Sequence, residues 1–184
     1  MHILFLEKYF FVDSFAPSVI KCQDKNTVII YRNYNKKNNI KEIINLRNFC
    51  KKNKYKIVLA NNVKLALKLR LNGAYLPSFN KKFEHLSYSF DKNFILIGSA
   101  HNSKEIKIKE KQKINKIFLS SLFKKNGNYL GLNKFKIYIS RSKSQFVALG
   151  GITEVNLKKI NLINVTGFAG ITFFKKKGPL KKGP

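Results

Sequence analysis

No apolar run in this 184-residue chain approaches the ~20 residues that a membrane-spanning helix needs. The longest, such as Val28-Ile29-Ile30-Tyr31 and Phe94-Ile95-Leu96-Ile97, are far too short, so no membrane is expected as a partner. The N-terminus is apolar at Ile3-Leu4-Phe5-Leu6, but Glu7 and Lys8 interrupt it, and it has neither a basic leader nor a small-residue cleavage site. We therefore expect mature, cytoplasmic sequence. Cysteine is equally scarce. Cys22 and Cys50 have no CxxC spacing and no histidine cluster beside them, which excludes a disulfide framework or a zinc site as the organising element. Both are expected to be buried, reduced thiols.

Acidic side chains are the third shortage: 9 Asp and Glu stand against 37 Lys and Arg, for a formal charge of +28. Such a charge raises nucleic acid or another polyanion as a partner. However, the excess is nearly all lysine and is spread along the whole chain. It comes with abundant Asn, Ile, Phe and Tyr, whose codons are rich in A and T, and with no Arg-rich face or RNP-like aromatic motif. Base composition accounts for much of it, and nucleic acid is disfavoured as a partner.

What is present is alternation. Short β-branched and aromatic runs at residues 9–12, 28–31, 56–59, 74–76, 94–97, 116–119, 146–149 and 167–171 alternate with longer Lys-rich segments of helical period. With 44% hydrophobic residues the chain can bury one core. Eight such units predict an α/β fold, a (β/α)8 TIM barrel in one domain. The clearest helix runs over 39–51 with Ile40, Ile43, Ile44 and Leu46 toward the core, and a second follows Asn62 with Val63, Ala66, Leu67 and Leu71 as its stripe. Asn102 with Glu105 resembles a capping box, and Thr153 sits where an N-cap belongs. Pro17 leaves room for only a reduced first helix. After Phe174 the chain turns to lysine, with a KKGP element repeated, so the eighth helix is expected to be missing or reduced. The expected domain is 1–174, and 175–184 is expected to be a disordered tail.

In such barrels the chemistry collects just past the C-terminal ends of the strands. There the sequence places Asp13, Arg32, Asn61 and Asn62, Ser78 and Asn80, Ser99 and His101, Ser120 and Ser121, and Gly150 and Gly151. An apolar strand running into Gly150-Gly151 before a helix start suits a phosphate, because glycine lets backbone N–H groups approach an anion closely. The alternative is a plain tight turn. His101, on the loop after the fifth strand, could be a general acid or base, or a loop histidine bonded to nearby backbone. His2 and His85 have no supporting context and are expected at the surface.

The segment Ile97-Gly98-Ser99-Ala100-His101-Asn102-Ser103 with Glu105 resembles the G-x-S-x-H-[ST]-x-x-E segment of the thiamine phosphate synthase and TenI family. Val147 to Thr153 with Asn156 is similar to that family's V-A-[IL]-G-G-I-[TS]-x-x-N. Asn61-Asn62 with Ala66 and Asn72-Gly73-Ala74-Tyr75-Leu76 resembles its N-D-x-x-x-x-A and G-A-D-G-[VI]-H-L stretch. The resemblance implies a TIM barrel of thiamine biosynthesis that binds a thiazole phosphate. Synthases in it couple that phosphate to a pyrimidine pyrophosphate with Mg²⁺, and TenI proteins of the tautomerase type isomerise the ring. Carried over, it makes His101 the catalytic candidate. Arg32, Asn61, Ser99, Gly150, Gly151, Phe174 and Lys175 become candidates for substrate and phosphate binding. The metal-binding aspartates fall on Asn62 and Asn80, a loop lysine falls near Asn128, and the loop Gly-Pro falls on Ser120-Ser121. Those departures imply lost metal ligands, with Mg²⁺ needed only if coupling is retained. A non-catalytic phosphate-binding or regulatory barrel is the alternative, and the oligomeric state is left open.

Overall fold

The structure, a computed structural model, describes residues 6–34 and 39–175. His2, the residues 3–5 and the tail from 176 onward lie outside the described residues. Eight parallel strands close into a barrel in chain order: β1 (Glu7–Val12), β2 (Thr27–Tyr31), β3 (Ile57–Ala60), β4 (Gly73–Leu76), β5 (Ile95–Ala100), β6 (Lys116–Leu119), β7 (Gln145–Leu149) and β8 (Gly167–Gly170). Closure is explicit in the pairing of β1 with β8, Tyr9 opposite Ala169. The (β/α)8 expectation is met.

The outer layer consists of α1 (Pro17–Lys21), α2 (Ile40–Lys52), α3 (Val63–Lys68), α4 (Ser103–Lys111), α5 (Gly131–Ser140), α6 (Glu154–Leu157) and α7 (Thr172–Lys175). A 3₁₀ turn, Glu84–Ser87, stands where a helix between β4 and β5 would be. Short amides start three of the helices. The side chains of Asn39, Asn62 and Asn102 each accept from the backbone N–H three residues on, and Thr153 with Asn156 forms a reciprocal capping box.

Strand alternation sorts the core into two compartments. Inside the barrel lie Tyr9, Phe11, Val28, Ile30, Val58, Tyr75, Ile97, Phe118 and Val147. Phe118 packs against Tyr9, Phe11 and Tyr75 with ring centroids 4.8, 6.1 and 5.8 Å away. Backbones approach closely in the wall around these rings. At Gly73 a side chain would collide with the Ile95 carbonyl oxygen, 2.1 Å from where a Cβ would stand. Between sheet and helices lies the second compartment, with Phe10, Ile29, Leu46, Cys50, Phe135 and Phe168.

Several local expectations are corrected. Ile40 is half exposed at the first position of α2, and Leu71 is buried beyond the end of α3. Cys22 is exposed, whereas Cys50 is buried and its thiol is pushed up to about 12 by desolvation. The eighth helix is present from Thr172 to Lys175, where the described residues end. Lys175 belongs to α7, which Phe173 and Phe174 anchor by packing on Phe168 and Phe10.

Replacing Phe118 with alanine should remove the centre of the interior packing and cost about 3–5 kcal/mol. Urea denaturation checks this, and a loss below about 1 kcal/mol would mean that the interior does not depend on that ring.

Candidate functional site

The strand ends bring the sequence candidates together as two clusters on the rim. The first lies after β3 and β4. Asn61 adopts φ 59°, a left-handed conformation that asparagine tolerates better than most residues, and its N–H donates to the Tyr75 carbonyl at 2.7 Å. Its Oδ1 accepts from Asn80 Nδ2 at 2.7 Å. Asn80 Oδ1 is taken by Lys82 N at 3.0 Å, and Asn62 Oδ1 by Leu65 N at 2.9 Å. Both carbonyl oxygens at the expected metal positions are thus engaged by backbone donors. Among the described residues, no group of three or more His, Cys, Asp or Glu could hold a metal ion. Beside the pair is a cavity of about 460 Å³ lined by Asn61, Asn62, Asn80, Lys64, Lys81 and Lys82 among others.

The second cluster spans β5, β6 and β7. The His101 N–H donates to Glu105 Oε2 at 2.7 Å, so the first turn of α4 fixes the backbone that carries the imidazole. Nδ1 lies 3.1 Å from the Ser120 carbonyl oxygen and 2.9 Å from Ser120 Oγ. A protonated Nδ1 donates to the carbonyl and an unprotonated one accepts from the hydroxyl, so in either tautomer Ser120 engages Nδ1 and leaves Nε2 as the outer ring nitrogen. Next to Ser120, the loop after β6 crosses the end of β7. Leu122 N donates to Leu149 O and Phe123 N to Gly150 O, both at 2.9 Å. Gly150 and Gly151 turn there with φ 101° and 72°, conformations that favour glycine. Any side chain at 151 would also meet the Lys124 backbone nitrogen at 2.5 Å. Asn156 Nδ2 ties down the Gly151 carbonyl at 2.8 Å.

The remaining candidates are placed differently. Arg32 is partly buried at the end of β2, its guanidinium 4.4 Å from the centre of the Phe11 ring. Ser99 is buried and its hydroxyl accepts from Ser78 N at 3.0 Å, so it stitches the loop after β4. Phe174 is a core residue whose ring faces Phe10 and Phe168, away from the rim, and Lys175 is exposed on α7. The Arg32 charge acts on Tyr75, the residue whose carbonyl accepts from Asn61 N, whereas Asp13 accepts from Ser14 and Asn33.

Sequence reasoning missed the polar hub beneath the first cluster. Lys109 is fully buried on α4, and its Nζ donates to Pro77 O, Asn80 O and Gln112 Oε1 at 2.8, 2.8 and 2.9 Å. Three acceptors match the three donors of an ammonium. Gln112 Nε2 reaches Lys82 O at 2.7 Å, and the Gln112 carbonyl accepts from the buried His85 Nε2 at 2.9 Å, which corrects the surface placement expected for that histidine. The available signal was spacing. Lys109 follows Ile106 by three residues on the inward stripe of α4, and Gly98 on β5 leaves room for its stem.

Residues 18–174 match the thiamine monophosphate synthase family, TMP-TENI. A thiamine-phosphate synthase of Hydrogenobaculum sp. is 26% identical over 171 residues, which covers 89% of this chain and 80% of that protein. One from Methanococcus vannielii is 34% identical over 83 residues, 42% of this chain and 40% of that protein. Among solved structures, a thiamine phosphate pyrophosphorylase from Pyrococcus furiosus superposes with a TM-score of 0.74 at 19% identity, covering 93% of this chain and 91% of that one. The structural likeness is one of fold.

The hub gives the rim a measurable signature. Burial pushes the Lys109 ammonium down to about 8, with the Glu105 carboxylate opposing the shift. An unfolded lysine titrates near 10.4. Between these values the unfolded chain holds the extra proton, so the contribution of Lys109 to stability rises with pH from about 8 to about 10.4, by up to ~1.4 kcal/mol per pH unit. Urea denaturation of the protein and of Lys109→Met at several pH values in that window should diverge with this sign. Parallel curves would remove the shift.

Proposed function

Because this chain belongs to the thiamine monophosphate synthase family, we propose that it serves thiamine biosynthesis by binding a thiazole phosphate at the Gly150-Gly151 turn and the loop after β8. His101 is the proton-transfer group. The observation that carries this reading is the anchored imidazole: the Ser120 carbonyl and hydroxyl hold Nδ1 at 3.1 and 2.9 Å, which leaves Nε2 as the nitrogen to exchange a proton. A ring tautomerisation requires that and no metal. The phosphate end of the ligand contributes binding and orientation without entering the chemistry. Its oxygens suit backbone N–H groups at a glycine turn that the crossing loop holds rigidly.

The donor set does not fit Mg²⁺. A hard dication is held by charged carboxylate oxygens, and the positions at issue carry the neutral amides Asn62 and Asn80, with both oxygens already accepting from backbone. No step is therefore routed through the ion. One observation favours a second reading, in which coupling to a pyrimidine pyrophosphate persists without metal. The cavity beside the amide pair carries Lys64, Lys81 and Lys82, whose ammonium groups could neutralise a departing pyrophosphate.

Arg32 and Lys175 supply further positive charge at the strand ends and complete the proposed ligand contacts with Asn61. Ser99 and Phe174 act through packing and loop support.

The His101→Ala variant should keep affinity for thiazole phosphate within about tenfold, roughly 1.4 kcal/mol, and lose ~10²-fold or more in tautomerase rate. Calorimetry and steady-state kinetics read the two effects. An active enzyme indifferent to the substitution would remove His101 from the mechanism, and a tight complex with no turnover would make the protein a phosphate-ligand binder. The dephosphorylated thiazole tests the phosphate site cleanly, since any side chain at 151 disturbs Lys124. Equal affinity for both ligands would sink that site.

Mg²⁺-dependent coupling should be little or none across a metal titration, and the double variant Asn62→Asp, Asn80→Asp is the one expected to gain it. Robust metal-dependent turnover by the unaltered protein would overturn the assignment of lost ligands.

A further inference from the structure

At the opposite end of the barrel, around the strand N-termini, two cavities adjoin and share Lys54 and Lys56. One, of about 600 Å³ between α2 and the connection from α3 to β4, is further lined by Arg47, Lys51 and Arg70. The other, of about 550 Å³ at the mouth of the barrel bottom, adds Lys25, Lys92 and Lys116. The single acidic lining residue, Glu7, is already paired with Lys116. Among the described residues no ion pair engages Lys25, Lys51, Lys54, Lys56, Arg70 or Lys92.

Uniform lysine enrichment does not account for this concentration. A third cavity at the same end, of about 570 Å³ between α5 and β8, has only Lys136 and Lys143 as basic lining residues. The neutral lining of the two basic grooves points the same way. Asn72 Oδ1 accepts from Ile57 N at 2.9 Å and Asn115 Oδ1 from Leu96 N at 2.8 Å. Asn48 Oδ1 accepts from Arg47 Nε and a terminal guanidinium nitrogen at 3.2 and 2.9 Å. With its oxygen already accepting, each of these three amides has its N–H groups as the freer end, so donors predominate among them as they do among the charged side chains.

We infer that this double groove binds a linear polyanion, a single-stranded nucleic acid whose phosphates follow the shared Lys54-Lys56 ridge. The expectation drawn from composition is thereby reversed for this one surface. Two adjoining concavities suit a chain of phosphates better than a single phosphate. A membrane surface would call for apolar side chains to insert, and none of the exposed large hydrophobic residues lines either groove. Among the described residues the half-buried Phe94, stacked on Phe90 at 5.1 Å, is the most accessible ring lining either groove, so binding rests mainly on the backbone charge and is largely indifferent to sequence.

The test is fluorescence anisotropy with a labelled single-stranded RNA of about 20 nucleotides, from about 50 to 300 mM KCl. A Lys54→Gln, Lys56→Gln, Arg70→Gln variant is set beside a charge-matched control, Lys136→Gln, Lys143→Gln, Lys158→Gln. All six side chains are exposed, and circular dichroism confirms that both variants remain folded. The groove variant should bind about tenfold or more weakly at ~100 mM salt and lose about 2 from the slope of log affinity against log salt, while the control changes by less than about threefold. Equal losses in both variants would reduce the effect to net charge and overturn the inference. So would phosphatidylserine vesicles that bind more tightly than the RNA. Because this surface is at the far end of the barrel from His101, the outcome is independent of any reaction at the rim.

Discussion

Everything in this molecule hangs on filling the inside of a closed eight-stranded ring. Such a barrel leaves an interior just wide enough for side chains, and any part not filled is lost contact and lost burial. Here four aromatic rings, Tyr9, Phe11, Tyr75 and Phe118, occupy the centre, with the small Ala60 and Ala169 in the same compartment. The plug fixes which face of each strand turns inward, and so which face of each strand receives helices. The rim residues inherit their directions from that choice. At the lower end the same ring is closed by charge, with Glu7 paired to Lys116 and accepting from the Tyr9 hydroxyl.

A rigid interior with variable loops explains how proton chemistry and metal chemistry could part company in one fold. A metal site needs several charged oxygens aimed at one point, and the amides at Asn62 and Asn80 instead close on backbone and on Asn61. The histidine needs only one anchored nitrogen, which the Ser120 carbonyl provides. The two arrangements stand on different strands, so the residues that form one do not include those that form the other.

The parts legible in the sequence were those governed by local chemistry. Strands announced themselves as short β-branched and aromatic runs, and asparagine caps marked helix starts within one residue, as at Asn39, Asn62 and Asn102. The glycine turn and the His101 loop were legible because their residue types and order resemble a known family. What escaped was set by contacts between distant segments. Nothing near Lys109 in the chain says that the carbonyls of Pro77 and Asn80 will be its acceptors, so nothing singled it out from the other lysines. His85 was misplaced for the same reason. Ile40 failed in the other direction, because its place on the apolar stripe falls at the first helical position, beyond the edge of the sheet it would cover. Phe174 was assigned by family position, yet α7 turns its ring inward onto Phe10.

The nine-residue helix α4 joins the two halves of the rim as a lever would. Its first turn grips the His101 backbone through Glu105, and one turn further along Lys109 grips the Asn80 carbonyl. The His101 backbone and the Asn80 carbonyl are therefore tied to one helix through side chains four residues, about 6 Å, apart along its axis. A shift of that helix along its axis would carry both attachments in the same direction at once. Insertions or deletions within α4 would break that common gauge, whereas changes in the loops on either side would leave it standing.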